Sequence, residues 1–353
     1  MQQYNMNEPK WVVLQVTEKC NLRCKMCYEW GDNGSYLHKH KLNNLSVHKV
    51  NEIFENLKGY NVYYELFGGE PMLHPQFVDI LSIIKKHNCT VDIPTNGTLL
   101  SKYYKEVVDA NIRRIWISLD GPQEVNDAQR GKNVYARATE GIRLLQEYKK
   151  ASGKTYPFVG VTFVVTPDNY KYLKSFYERE VSKMGVDYFS IEFQLFITEE
   201  RYKKYQCFIK EKFGLDNAWA SKGLVRKLEQ FKDIDVEYLV AVLNGIKKDI
   251  AKTETQLIGY PKYIDIANIN KFYHGDWDNM KEARKNCPFP WVYMEISASG
   301  VVTPCHTFYD IEMGNVNDTP IMEIWESEKF KDLRIKMRNC ITPICFACSR
   351  YYN

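Results

Sequence analysis

Apolar and polar positions alternate in short blocks over residues 11–195. Apolar runs of strand length end in polar or glycine residues, and stretches with helical spacing separate them. The predicted strands are Trp11–Val16, Tyr63–Phe67, Thr90–Ile93, Arg114–Leu119, Phe158–Val165 and Tyr188–Phe193. The predicted helices are Val47–Leu57, Gln76–His87, Ser101–Ala110, Ala136–Tyr148 and Tyr170–Met184. This alternation predicts an α/β fold, a partial (β/α)6 TIM-like barrel with its chemistry at the C-terminal strand ends.

The pattern changes after residue 195. Residues 196–286 have helical spacing at Gly223–Phe231 and Asp235–Ala251 and no strand pattern, so we expect a helical insert or bridge. A plain structural connector and a segment that covers the substrate are both open interpretations.

A third pattern begins at residue 287. A hairpin is predicted at Tyr293–Ser297 and Gly300–Thr303, followed by a helix at Pro320–Met337, which indicates a small α+β domain. The expected domains are therefore a barrel over 1–195, an insert over 196–286 and a C-terminal domain over 287–353.

Composition narrows the class of protein. Apolar residues make up 44% and charged residues 26%, enough for a sizeable core, and a net charge of +4 gives no reason to expect nucleic acid or a membrane as partner. The sequence lacks a membrane-length apolar run and a signal-peptide pattern, so we expect a cytoplasmic location. Eight of the ten cysteines fall into two clusters, and in a reducing compartment such clusters more often bind metal than form disulfides.

The first cluster has the spacing C-x3-C-x2-C and follows the first strand. Thiolates of Cys20, Cys24 and Cys27 can hold three irons of a [4Fe–4S] cluster and leave the fourth iron open to an exogenous ligand. Zinc is the alternative, but it usually takes four ligands, and His38 and His40 are distant in sequence.

With this motif the sequence resembles the radical SAM superfamily, whose members cleave S-adenosylmethionine (SAM). Gly68, Gly69, Glu70 and Pro71 are similar to that family's GGEP motif, which implies that Glu70 receives the methionyl amino group of SAM. The resemblance also implies that Asn96 and Ser118 lie near the methionyl and ribose parts of SAM, and that Arg130 pairs with the methionyl carboxylate.

Each of these residues also has an ordinary interpretation on its own. Paired glycines are often only a turn, Asn96 and Ser118 are common capping residues, and Glu70 or Arg130 alone would be surface charges. One departure from the family is Met26, which stands where many members carry an aromatic residue against the adenine. Met26 could pack there because methionine is adaptable, or Tyr28 could take that place.

The second cluster contains Cys287, Cys305, Cys345 and Cys348, four thiolates that suit either a complete [4Fe–4S] cluster or structural zinc. Gly300 permits the tight turn of the hairpin. The pattern resembles the C-terminal twitch or SPASM extension of radical SAM enzymes, in its one-cluster form. Cys340 is the odd one out, as a free thiol or as a replacement for Cys345. The isolated Cys89 and Cys207 are expected to be buried, inert thiols.

The resemblance implies a mechanism. One electron splits SAM into methionine and a 5′-deoxyadenosyl radical, which takes a hydrogen atom from a peptide or a small polar metabolite. The auxiliary cluster is expected to accept an electron from the substrate radical, or instead to relay electrons outward or bind substrate, and its four thiolates favour electron transfer. A flavodoxin or ferredoxin is the expected electron donor. Only nineteen residues precede Cys20, which weakens the peptide hypothesis because no leader-binding domain fits there. Glu192, on the sixth strand, is either a proton acceptor or a hydrogen-bonding residue inside the barrel.

Two other functions remain open at this point. One is a radical SAM dehydrogenase that acts on alcohol groups of sugars or aminocyclitols. The other is an iron–sulfur electron carrier or maturation factor without SAM chemistry, against which the GGEP motif argues.

Overall fold

The computed structural model of the protein describes residues 8–37, 39–306 and 309–348. Its strands are β1 (Trp11–Thr17), β2 (Tyr63–Gly68), β3 (Thr90–Thr95), β4 (Arg114–Ser118), β5 (Phe158–Val165), β6 (Tyr188–Phe193), β7 (Gln256–Tyr260), β8 (Tyr293–Ile296), β9 (Val301–Thr303) and β10 (Gly314–Asn315). Its α-helices are α1 (Val47–Asn56), α2 (Phe77–His87), α3 (Leu100–Asp109), α4 (Gln123–Arg130), α5 (Val134–Ala151), α6 (Leu173–Arg179), α7 (Glu199–Phe213), α8 (Val236–Ile250), α9 (Ile266–Tyr273), α10 (Phe289–Val292), α11 (Ile321–Trp325) and α12 (Glu328–Met337).

All these strands form one sheet in the order β10-β9-β8-β1-β2-β3-β4-β5-β6-β7. Strands β1 to β7 are parallel, β8 pairs parallel to β1 on its other side, and β9 and β10 continue antiparallel. Strands β7 and β10 stand at the two edges, so the described sheet is an open part-barrel. The predicted α/β fold with a partial barrel is confirmed. Because the central strands run in parallel, the loops that follow β1 to β6 meet at one edge.

The core lies between the sheet and its helices. The buried positions of α2, Phe77, Ile80, Leu81 and Ile84, recur with helical spacing, so one face of this helix packs on the sheet. On β6 the outward Phe189 meets Phe176 and Tyr177 of α6, with ring centroids 6.5 and 6.0 Å apart. The neighbouring Glu192 points to the opposite, inner side, since side chains alternate along a strand.

The expectation of no strand within residues 196–286 is wrong. Strand β7 pairs parallel to β6 from Tyr188 opposite Gln256 to Glu192 opposite Tyr260. The sequence pattern does not reveal it because only Tyr260 of its five residues is buried, as is usual at a sheet edge. Strand β7 therefore extends the six predicted parallel strands beyond β6, as β8 extends them beside β1.

Three predicted helices also differ from the structure. The region Gly223–Phe231 forms two short 3-10 turns, Ser221–Leu224 and Leu228–Gln230, because it packs on other loops. The region Tyr170–Met184 contains only the short α6 between two 3-10 turns. The region Pro320–Met337 divides into α11 and α12, since the side chain of Ser327 caps the second helix and accepts a hydrogen bond from the Phe330 amide.

The middle region is attached to the C-terminal domain by a buried carboxylate. Asp310 accepts hydrogen bonds from the Ala220 amide at 2.8 Å and from the Ser221 hydroxyl at 2.6 Å. Burial raises the pKa of Asp310, and these hydrogen bonds oppose that shift. None of the helices in the described ranges is long and apolar enough to cross a membrane.

Candidate functional site

The first cysteine loop leaves the C-terminal end of β1 and folds tightly. The Cys27 amide donates to the Cys24 carbonyl at 3.0 Å, and the Gly31 amide donates to the Cys27 carbonyl at 3.0 Å. A Cβ on Gly31 would lie 2.4 Å from that carbonyl oxygen and 2.8 Å from the Cys24 oxygen. Only glycine fits this position, so the close backbone packing of the loop between Cys20 and Gly31 depends on Gly31.

The three thiols of this loop are partly buried and affect one another. Burial raises the pKa of Cys20 to about 12 and that of Cys27 to about 11, and it raises the pKa of Cys24 as well. The Cys24 thiolate adds to the shift at both Cys20 and Cys27, which indicates that the sulfurs lie near each other. Such thiols ionise only when a metal cation takes the place of their protons.

Backbone amides are directed at two of these sulfurs. The Leu22 amide donates to Cys20 Sγ at 3.5 Å, and the Trp30 amide donates to Cys27 Sγ at 3.3 Å. Hydrogen bonds to sulfur stabilise a metal-bound thiolate and tune the potential of an iron–sulfur cluster. The donor set fits such a cluster.

A single zinc ion fits the structure less well. Within the residues that the structure describes, no three side chains of His, Cys, Asp or Glu are arranged to hold one ion. Thiolates of an iron–sulfur cluster each bind a different iron, so they need not meet at one point. Of the two histidines considered for zinc, His40 is exposed and His38 lies outside the described residues.

Gly68, Gly69, Glu70 and Pro71 lie directly against the start of the cysteine loop. The Gly69 amide donates to the Thr17 carbonyl at 2.9 Å, and the Glu70 amide donates to the Lys19 carbonyl at 2.8 Å. A Cβ on Gly68 would lie 2.4 Å from the Thr17 oxygen, and one on Gly69 would lie 2.4 Å from the Lys19 oxygen. The glycine pair therefore allows a backbone contact that any larger residue would prevent.

Glu70 is fully buried and its carboxylate is an acceptor at this contact. Its oxygens accept hydrogen bonds from the Thr95 hydroxyl at 2.7 Å, the Asn96 amide at 2.8 Å and the Met72 amide at 3.2 Å. Burial raises the pKa of Glu70, and these three donors oppose that shift. Pro71 follows as the first residue of a 3-10 turn.

Asn96 and Ser118 follow on the next two strands. The Asn96 side chain donates to the Asn21 side chain at 3.0 Å and accepts from the Thr98 hydroxyl at 2.6 Å, which joins the end of β3 to the cysteine loop. Ser118 is the last residue of β4 and is half-buried opposite Thr162 of β5. Both lie at the same sheet edge as Glu70, as the sequence predicts.

Arg130 ends α4 on the other side of the cysteine loop. Its Nε donates to Asp120 at 2.6 Å, and its Nη1 lies 4.0 Å from Cys24 Sγ. Burial alone would lower the pKa of Arg130, but the Asp120 carboxylate together with the Cys24 and Cys27 thiolates outweighs burial, and the pKa is raised. The sequence did not reveal Asp120 as this partner, although its position at the end of the fourth strand was the available signal.

Three of the C-terminal cysteines also affect one another. Burial raises the pKa of Cys287 to about 12, and burial followed by the Cys287 charge raises the pKa of Cys345. Cys348 adds to both shifts, and Cys305 and Cys345 both raise the pKa of the buried Tyr205. Cys287, Cys345 and Cys348 thus affect one another, while Cys305 is linked to them through Tyr205, and Gly300 turns the hairpin at a φ of 87°.

Three other cysteines belong to neither predicted ligand set. The Cys340 thiol donates to the Lys336 carbonyl at 2.9 Å, one turn back along the chain. Cys89 is half-buried and burial raises its pKa to about 11. The expectation of a buried Cys207 is wrong, because Cys207 lies on the solvent side of α7.

A buried network that sequence reasoning missed links the two cysteine regions. Tyr28 follows Cys27, and its hydroxyl contacts His306 Nε2, while His306 follows Cys305 and its Nδ1 lies 2.9 Å from Glu295. Glu295 also accepts from the Tyr293 hydroxyl at 2.7 Å and from Tyr309. Burial alone would raise the pKa of Glu295, but His306 and the hydroxyls outweigh it and the pKa is lowered. Tyr28 thus faces the auxiliary cysteine region, and Met26 is half-buried.

An open cleft of about 1360 Å³ lies between the segment that follows the cysteine loop and the middle region. Asp32 to Leu37 line one wall, and α7 with the segment from Asn217 to Gln230 lines the other. Trp219 stacks on Tyr36 at 6.1 Å, with the Lys39 ammonium above Tyr36. The middle region therefore covers the side of the cysteine loop.

Comparisons with known proteins agree with this geometry. A model of the radical SAM superfamily matches residues 14–179, and a model of the SPASM iron–sulfur cluster-binding domain matches residues 287–349. The cofactor-modifying protein of tungsten-containing aldehyde ferredoxin oxidoreductase from Pyrococcus furiosus is 27% identical, over 96% of this chain and 87% of its own length. The GTP 3′,8-cyclase of Nostoc punctiforme is 35% identical, but the match spans 33% of this chain and 36% of the cyclase.

Two solved structures share the fold. Streptococcus suis SuiB bound to S-adenosylmethionine has a TM-score of 0.65 and 16% identity, and covers 93% of this chain and 68% of its own. The structure of anSMEcpe with bound AdoMet has a TM-score of 0.63 and 16% identity, with coverage of 98% and 85%. At such low identity these likenesses speak for the fold alone.

Proposed function

Because this chain belongs to the radical SAM superfamily and carries a SPASM iron–sulfur domain, we propose that it cleaves SAM at a [4Fe–4S] cluster held by Cys20, Cys24 and Cys27. The 5′-deoxyadenosyl radical then abstracts a hydrogen atom from a peptide or a small polar metabolite. The observation that carries this proposal is the hydrogen bond of 2.8 Å from the Glu70 amide to the Lys19 carbonyl. It brings a buried carboxylate to the residue that precedes Cys20.

In this proposal each side chain has a binding role. The cluster supplies an open iron for the amino and carboxylate groups of SAM and the electron that splits SAM. Glu70 and the backbone of Gly68 and Gly69 accept the methionyl amino group, while Thr95 and the Asn96 amide keep the Glu70 carboxylate oriented. Pro71 fixes the backbone after Glu70. Asn96 and Ser118 contact the methionyl and ribose parts.

Arg130 is proposed to pair with the methionyl carboxylate. Its Nε is already bound to Asp120, so the carboxylate would be met by the guanidinium nitrogens that remain. The ion pair with Asp120 keeps the guanidinium in place beside Cys24, which supports a role in orienting SAM rather than in chemistry.

Cys287, Cys305, Cys345 and Cys348 are proposed to hold the auxiliary [4Fe–4S] cluster. Four thiolates leave no open iron, which favours electron transfer over substrate binding. We propose that this cluster would take part in electron transfer. For an oxidation or a cross-link it would accept an electron from the substrate radical. For an epimerisation, in which that radical takes a hydrogen atom from a thiol, it would return an electron to the resulting thiyl radical while a proton restores the thiol. A flavodoxin or ferredoxin is the proposed electron donor, in a reducing, cytoplasmic compartment.

The names of relatives support two substrate classes. The Pyrococcus protein modifies a cofactor, which favours a small polar metabolite, and a SuiB structure is described as bound to its precursor peptide SuiA, which favours a peptide. The open cleft beside the cysteine loop has room for either. A dehydrogenase for alcohol groups of sugars or aminocyclitols is the second candidate within the metabolite class. Glu192, half-buried inside the barrel, is the proposed proton acceptor.

The domain limits 1–195, 196–286 and 287–353 are part of the proposal. The middle region contributes β7 to the sheet and packs over the cysteine loop, so we propose that it covers the substrate in addition to connecting the other two parts.

Anaerobic reconstitution with iron and sulfide tests the proposal. The reconstituted protein, given SAM and dithionite, should form 5′-deoxyadenosine, and the rate should rise when a fraction containing its substrate is added. Peptide and small-molecule fractions of a cell extract, assayed separately, distinguish the two substrate classes. A protein with a full iron and sulfide content that forms no 5′-deoxyadenosine would instead be an electron carrier.

A further inference from the structure

Arg226 is a buried cation for which the structure provides no carboxylate partner. Its side chain is 8% exposed, and its Nη1 donates to the carbonyl oxygens of Gly223 and Val225, both at 2.8 Å. No carboxylate oxygen in the described part of the chain lies within 4.0 Å of its guanidinium. Burying a charge without an ionic partner costs free energy, so we expect a compensating negative charge near Arg226.

The backbone around Arg226 holds it against the first cysteine loop. The Arg226 amide donates to the Ile197 carbonyl at 2.9 Å. A Cβ on Gly223 would lie 2.1 Å from the Tyr28 carbonyl oxygen and 3.0 Å from the Ser35 amide, so the two loops touch through their backbones. Because its Nη1 is bound to the Gly223 carbonyl, the guanidinium is fixed at this contact, one residue beyond Cys27.

The charges that act on Arg226 are those of the cysteine loop. Burial lowers the pKa of Arg226, and the Cys27 thiolate, followed by Asp32, opposes that shift. Asp32 is exposed, so water screens it. Arg130 on the other side of the loop differs, since its charge is balanced by Asp120 at 2.6 Å.

A negatively charged group on the substrate explains the buried positive charge of Arg226 less well. The cleft that it borders is lined by as many carboxylates as cations, so its walls do not select a negative ligand. A cluster bound by the thiolates of the adjoining cysteine loop would, in contrast, carry negative charge permanently.

We propose that Arg226 is a positioning residue whose positive charge raises the reduction potential of the cluster held by Cys20, Cys24 and Cys27. This inference rests on the proposed function, because it requires that cluster. Three thiolates give the oxidised cluster a net negative charge, and reduction adds one more. A fixed cation in a buried site stabilises the more negative, reduced form to a greater extent, and so favours the electron uptake that precedes SAM cleavage.

An anaerobic redox titration followed by electron paramagnetic resonance tests this role in the reconstituted protein. The variants are Arg226→Met, which removes the charge, Arg226→Lys, which keeps it, and Lys227→Met, which removes an exposed charge from the same cleft. The signal that changes on addition of SAM identifies the first cluster, and the auxiliary cluster serves as an internal reference. Arg226→Gln, which keeps a hydrogen-bond donor, replaces Arg226→Met if that variant does not retain its iron.

The expected result is a lower potential of the first cluster in Arg226→Met. A tenfold loss in the equilibrium constant for reduction corresponds to about 59 mV for one electron. The potential of the first cluster in Arg226→Lys should lie closer to the wild-type value than in Arg226→Met. Lys227→Met should leave that potential unchanged, and the potential of the auxiliary cluster should be the same in all variants.

An unchanged potential in a charge-removing variant with full iron content would overturn the inference, as would an equal shift of both clusters. A wild-type protein that binds no iron at the first site would refute the proposed function itself, which separates the two failures.

Discussion

The Glu70 amide donates a hydrogen bond to the Lys19 carbonyl at 2.8 Å, and the carboxylate of the same residue accepts from the Asn96 amide at 2.8 Å. One residue thus joins the ends of β1, β2 and β3, and it does so directly before Cys20. Parallel strands bring these three loops together, because all of them leave the sheet at its C-terminal edge.

We predict that Glu70→Gln weakens SAM binding at least tenfold, which corresponds to about 1.4 kcal/mol. The amide lacks the negative charge for the methionyl amino group, and its NH2 group would face one of the donors Thr95, Asn96 or Met72. Equilibrium dialysis with SAM, without reductant, measures the affinity. Glu147→Gln, on the exposed side of α5, is the matched control. Wild-type affinity in a Glu70→Gln protein with full iron content would exclude this role for Glu70.

Replacing Cys20, Cys24 and Cys27 together by Ala should abolish 5′-deoxyadenosine formation and remove about four irons per chain. The auxiliary site should keep its iron, because its ligands lie at the other end of the sequence. Iron analysis and chromatography of the products measure both effects. Cys207→Ala, at an exposed position of α7, should change neither value. Retained SAM cleavage in the triple variant would show that the first site is wrongly placed.

The positions of these motifs could be predicted from sequence because each directly follows an apolar strand. Cys20 follows β1, Glu70 follows β2 and Asn96 follows β3, so recognition of the strands was enough to bring them together. Of the hydrogen bonds to the Glu70 carboxylate, those from Thr95 and Asn96 come from the neighbouring strand end, which the parallel order places beside it, whereas the one from the Met72 amide comes from the turn that Glu70 begins.

Other features depend on contacts that no local pattern records. The Tyr28 contact with His306 joins residues 278 positions apart, and the hydrogen bond between Ser221 and Asp310 spans 89 positions. Gly223 lies in a segment with helical spacing, yet it forms a 3-10 turn because its backbone packs on Tyr28. Such contacts appear only once the three regions of the chain are assembled.

Replacing Cys345 and Cys348 together by Ala should lower the iron content by about four per chain and leave 5′-deoxyadenosine formation with dithionite intact. Loss of the auxiliary cluster removes the electron acceptor for the substrate radical, so only product formation should stop. Cys340→Ala is the control, because the Cys340 thiol donates a hydrogen bond to the Lys336 carbonyl. If Cys340→Ala lost iron and Cys345→Ala did not, Cys340 rather than Cys345 would be the ligand.

The packing of the middle region on the cysteine loop can be tested with one added methyl group. In Gly223→Ala the new Cβ would meet the Tyr28 carbonyl oxygen at 2.1 Å, and the atoms that must move are backbone atoms. We expect the free energy of unfolding to fall by about 1–3 kcal/mol, as for other overpacked sites. Because the two loops must also separate, oxygen should reach the first cluster faster, and its visible absorption should bleach sooner in air.

Gly245→Ala provides the opposite control for this prediction. Gly245 lies inside α8, and a Cβ there would have no atom within 4 Å, so the substitution should stabilise the protein by about 1 kcal/mol through helix propensity. Denaturant unfolding of the metal-free proteins and bleaching of the reconstituted ones separate stability from access of oxygen. Equal bleaching rates in Gly223→Ala and Gly245→Ala would mean that the middle region does not shield the cluster, since only the first substitution disturbs its contact with the cysteine loop.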